Sequence, residues 1–136
     1  MPSPADARAK LNTPREHQAA DVDRYFLIWR DRKLGTGVLE MNEDVSTNRA
    51  EIVALIATGQ ETGIDRIYRG NEALGIFANV TRDVADDVLQ HCINEEIALS
   101  SDLRGWLHEH VGIRAVEDAI EEYPYLDDDY HAGWNR

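Results

Sequence analysis

The run Tyr25-Phe26-Leu27-Ile28-Trp29 is the most hydrophobic stretch of the chain, rich in aromatic and β-favouring side chains. It offers apolar groups to both faces of an extended backbone, which predicts a central strand over 24–30. Polar Asp31-Arg32-Lys33 then supplies a turn, and 34–41 returns as a second strand with Gly35 and Gly37 inside it. Glycine within a strand leaves room for a bulge or a close neighbour.

A helix is expected to follow from about Asn48. Glu51 is the reciprocal capping partner, Ile52, Val53, Leu55 and Ile56 face inward, and Gly59 is the stop. The theme recurs over 64–69 (strand), Gly70-Asn71-Glu72 (turn) and 73–80 (returning strand). Thr81 is read as the cap of the next helix, with Val84, Val88, Leu89, Cys92, Ile93 and Ile97 on one stripe. Trp29-Arg30 before Leu34-Gly35 parallels Tyr68-Arg69 before Leu74-Gly75. The expected fold class is therefore α+β: an antiparallel sheet of about four strands in a ββα-ββα arrangement, with helices on one face.

Outside those units, 1–12 reads as an N-terminal arm, and Thr13, Pro14 and Glu16 carry the marks of a helix start. Ser100-Ser101 caps a short helix with Leu103, Trp106, Leu107 and Val111, ended by Gly112. A last helix runs from about Ile113 to Tyr123 with Val116, Ala119, Ile120 and Tyr123 inward, and Pro124 closes it. One domain over 13–123 and an acidic, aromatic tail over 124–136 result. Expected core residues are Phe26, Ile28, Ile52, Leu55, Ile67, Ile76, Val88, Leu89, Ile93, Trp106 and Ile120.

Charge is distributed unevenly along this plan. Residues 1–70 carry 10 Arg or Lys against 11 Asp or Glu, whereas 71–136 carry 4 against 15, which together make the net −12. The densest acids are Glu117, Asp118, Glu121, Glu122, Asp127, Asp128 and Asp129. A body with one negative end steers toward basic surfaces. Salt adaptation would spread acids over the whole surface, and the near-neutral first half argues against it. Asp83 and Asp87, Glu117 and Glu121, and Asp118 and Glu122 each stand four apart, a spacing that costs a helix about 0.2–0.5 kcal/mol per like-charged pair. Tyr130 and Trp134 lie among the tail acids as candidate contact anchors. Tyr123 and Tyr125 are expected to fold back on the core.

Chemical motifs are few. His108 and His110 are two apart and point about 200° away from one another on a helix, so they cannot share a zinc ion there. His91 and Cys92 are adjacent and do not face each other, and Cys92 falls on the apolar stripe. Asp127-Asp128-Asp129 with His131 lacks the ligand spacing and turn glycine of a calcium loop. Leu34-Gly35-Thr36-Gly37 lies inside a hairpin rather than between strand and helix, so it is no phosphate loop. No catalytic residue, metal or cofactor is expected. A chain of net charge −12 is repelled from nucleic acid, which argues against binding it directly. With one cysteine, no apolar run of roughly 20 residues and no signal-like start, the sequence reads as a soluble cytoplasmic protein without membrane contact.

The leading expectation is a non-enzymatic acidic interaction protein that occupies a basic nucleic-acid-binding surface of a partner protein. Phage or mobile-element inhibitors of CRISPR or restriction complexes form that functional class. Its contact residues would be Glu117, Asp118, Glu121, Glu122, Asp127, Asp128, Asp129, Tyr130, Trp134, Asp83 and Asp87. The alternatives are a small enzyme with a carboxylate–His site around Asp127, Asp128 and His131, and a homo-oligomeric structural subunit using a sheet edge.

Overall fold

The computed structural model describes residues 21–31, 35–39 and 47–129, with residues 30, 31 and 35–39 described for their backbone alone. The expected arm, the helix start at Thr13–Glu16, the first hairpin turn, and Tyr130, His131 and Trp134 lie outside the described residues. The chain forms an α+β fold. Strands β1 (Asp23–Asp31), β3 (Ile64–Asn71) and β4 (Ile76–Asn79) make an antiparallel sheet, and the backbone of β2 (Gly35–Leu39) pairs along the other side of β1. Four α-helices are described: α1 (Arg49–Ala57), α2 (Thr81–Glu95), α3 (Ser101–His110) and α4 (Ile113–Glu122). A 3-10 turn over Pro124–Leu126 follows.

Local chemistry explains most boundaries. The Asn48 Oδ1 accepts from the Glu51 N–H at 3.2 Å and starts α1, and Gly59 turns the chain away at φ 78°. Ser100 does the same for α3, its Oγ accepting from the Leu103 N–H. Thr81 corrects the expected capping scheme. Val80 precedes the first residue of α2, and its apolar side chain cannot cap that N-terminus. The Thr81 hydroxyl is instead buried and accepts from the Ile67 N–H at 2.8 Å, tying α2 to β3, while Asn79 Oδ1 accepts from the Thr81 N–H. The second hairpin turn also sits later than expected, over 72–75. Buried Asn71 holds it, its carbonyl oxygen accepting from the Leu74 N–H and its amide donating to Asp21 and Asp23.

The expected inward face of β1 is reversed. Tyr25 and Leu27 are buried, while Phe26 and Ile28 lie on the opposite side and are only half-buried. Pairing places Leu27 beside Ile67 and Phe26 beside Tyr68, so the register from Asp23 to Ile28 follows this choice, before it shifts between Ile28 and Trp29. The core gathers Leu27, Ile52, Ile56, Ile67, Val84, Val88, Cys92, Leu107, Val116 and Leu126. Of the expected core, Ile52, Ile67, Val88, Leu89 and Ile120 are buried. Leu55 and Ile76 are partly exposed, and Ile93 and Trp106 pack against the core from its rim. Packing also extends past the expected domain end at 123. Leu126 is fully buried, and its carbonyl accepts from the Leu99 N–H at 2.8 Å. Tyr123 and Tyr125 pack against the core, and the Tyr125 hydroxyl donates to the Ile93 carbonyl. Among the described residues, no helix is long and apolar enough to cross a membrane.

Candidate interaction surface

The acids of the second half emerge on α2, on α4 and after the 3-10 turn, with α3 packed against both helices. Over 81–129 there are 14 Asp or Glu against Arg82, Arg104 and Arg114. Asp83, Asp118, Glu121, Glu122, Asp128 and Asp129 are exposed, and Asp127 is half-buried. The Asp127 side chain accepts from the Asp129 N–H, folding the start of the acidic run into a local turn.

Two residues expected to meet a partner are engaged within the molecule. Asp87 pairs with Arg49 across α1 and α2, at 2.7 Å from Nη2. Glu117 receives both Nε and Nη2 of Arg104 and lies 2.8 Å from Nε2 of His108. The Arg104 guanidinium, with His108 second, holds the Glu117 carboxyl below its ordinary range. A forked guanidinium–carboxylate contact of this kind fixes geometry as well as charge, so it orients α3 against α4. These cations relieve two of the three like-charged helical pairs. Asp118 and Glu122 keep theirs, with no cationic partner among the described residues.

The other candidate groups separate as their spacing implies. His108 meets Glu117, whereas the His110 ring lies edge-on to Trp106, 5.2 Å between centroids. Cys92 is fully buried, and desolvation pushes its thiol up to about 12. Among the described residues, no three His, Cys, Asp or Glu side chains converge to hold a metal ion.

One concave site went unread in the sequence. A cavity of about 350 Å³ lies between the loop after α1 and the first turns of α3. Ile56, Ile64, Leu103 and Trp106 supply apolar lining, and Glu61 and Asp102 are its charged members among the described residues. Glu61 and Asp102 are 41 positions apart, so only the tertiary fold reveals them as neighbours of one space. The available signals were the glycines bracketing Gly59-Gln60-Glu61-Thr62-Gly63 and the capped start of α3. Gly59 and Gly63 both adopt positive φ, 78° and 73°, which lets this loop double back beside the helix. No family model, curated protein or solved structure matches this chain.

Proposed function

We propose that this is a non-enzymatic acidic interaction protein that binds a basic nucleic-acid-binding surface of a partner, in the manner of an inhibitor that replaces the nucleic acid. The observation that carries the reading is the exposure of Asp83, Asp118, Glu121, Glu122, Asp128 and Asp129 within 81–129, a helical segment with three arginines in all, one of them engaged by Glu117. Keeping Asp118 and Glu122 four apart, with no ion-paired cation among the described residues, opposes helix stability, a cost that contact with basic side chains would remove. Asp87 and Glu117 act here as internal struts that position the exposed acids. The supporting scaffold is read as two hairpin–helix units sharing one four-stranded sheet, which the strand order β2-β1-β3-β4 supports. A cytoplasmic setting fits an inhibitor of this kind.

The test is displacement. Basic nucleic-acid-binding proteins of the host, each loaded with a labelled oligonucleotide, are titrated with the protein at several salt concentrations. Release of oligonucleotide that weakens steeply with salt is expected. The combined variant Asp118→Asn, Glu121→Gln, Glu122→Gln, Asp128→Asn and Asp129→Asn should release at least tenfold less well while remaining folded. Equal release by parent and variant would reduce the acidic side to a device for solubility.

A further inference from the structure

We infer that the cavity between the 59–63 loop and α3 receives an arginine side chain of the basic partner. This rests on the proposed function and names the anchor within it. The cavity volume of about 350 Å³ suits one large side chain with part of its backbone. Ile56, Ile64, Leu103 and Trp106 supply its apolar lining, and among the described residues no Arg, Lys or His lines it. Glu61 and Asp102 add two acidic residues to the lining, while the N-terminus of α3 contributes only about half a positive charge. The balance therefore favours a cation.

Among cations, guanidinium matches best. It is planar, weakly hydrated and able to lie on an aromatic face while its N–H fork meets carboxylates. An ammonium is a compact, strongly hydrated point charge and makes less of an apolar wall. Buried Trp and Arg are the side chains that most often anchor protein contacts.

The experiment titrates the full chain with N-acetyl-arginine-amide and follows the Trp106 indole N–H and the Gly59 and Gly63 amides by NMR. N-acetyl-citrulline-amide, the neutral isostere, and N-acetyl-lysine-amide serve as comparisons. Saturable shifts confined to these signals are expected for the arginine probe, with a dissociation constant on the order of 1 mM. Citrulline should give at least tenfold weaker binding, and lysine should fall between them. Glu61→Gln should weaken the arginine probe severalfold, and Asp102→Asn should do so again. If the Asp102 variant is unstable, Glu61→Gln alone decides, because Glu61 lies in a loop outside the helices. Equal binding of citrulline and arginine would overturn the inference, as would shifts on α2 and α4 with the cavity signals unmoved. The combined acidic-side variant described above leaves the cavity intact. Oligonucleotide release by the parent without arginine binding would overturn the cavity inference alone, and arginine binding without any such release would overturn the proposed function alone.

Discussion

Leu27 and Phe26 are neighbours on one strand, yet they live in different surroundings. Leu27 faces the core and is fully buried beside Ile67, while Phe26 faces the other side of the sheet with Tyr68 and Phe77. There Tyr68 and Phe77 stack at 5.1 Å, and Phe77 remains 66% exposed. Arg66 lies over the Tyr68 ring, 6.0 Å from its centroid, with Asp65 3.3 Å from its Nε. Gly70 belongs to this side as well, and a Cβ there would stand 3.3 Å from Phe26 and 3.4 Å from Phe77. The difference teaches that apolarity puts a residue in a sheet, but the available helices decide which side becomes interior.

The sharpest way to break this comparison is to truncate the buried member. Leu27→Ala should lower unfolding free energy by about 2–5 kcal/mol, since the hole is lined by side chains already held in place. A loss under about 1 kcal/mol in urea titrations would show that β1 does not face the core as described. On the other side, Phe77→Ser removes a mostly exposed ring and its two ring contacts, with Tyr68 and Phe26, so it should cost about 1 kcal/mol. A loss equal to that of Leu27→Ala would show that the open side is covered in solution.

The smallest expected effect concerns the strut between α3 and α4. Glu117→Gln should cost about 0.5 kcal/mol at neutral pH, because the pair is partly solvated and its attraction screened. The Glu117 pKa is lowered in the folded state, so its stabilisation is complete above the ordinary glutamate pKa of about 4.3 and is lost as pH falls through the lowered value. Parent and variant should therefore converge in stability in acid. A difference that persists unchanged at low pH would mean that packing, not charge, makes the contact.

Helix starts were legible because capping is local: Asn48 and Ser100 announce α1 and α3 within three residues. The inward face of β1 was not, because Tyr25 to Trp29 is apolar at every position and a period of two cannot choose a side. Thr81 misled for a related reason. A threonine before an apolar stripe has the composition of a cap, but its hydroxyl is claimed by the backbone of β3, fourteen residues earlier. The acidic surface could be read as composition, while its division into internal struts and exposed groups depended on where Arg49, Arg104 and His108 fall. Glu61 and Asp102 were invisible as a set, since nothing in a linear pattern joins a loop after one helix to the first turn of another.

The join between β1 and β3 also sets a timetable for folding. The turn joining β3 and β4 brings together Asn71 and Ile76, five positions apart, whereas β1 meets β3 through partners such as Leu27 and Ile67, 40 positions apart. Each doubling of a loop adds about 0.6 kcal/mol of closure entropy, so the longer join starts about 2 kcal/mol behind. Helices and the local hairpin can form early, but they have no shared interior until this seam closes. Loop length thus makes closure of the seam the expected slow step, and until it closes the apolar run of β1 is open to any other strand it meets.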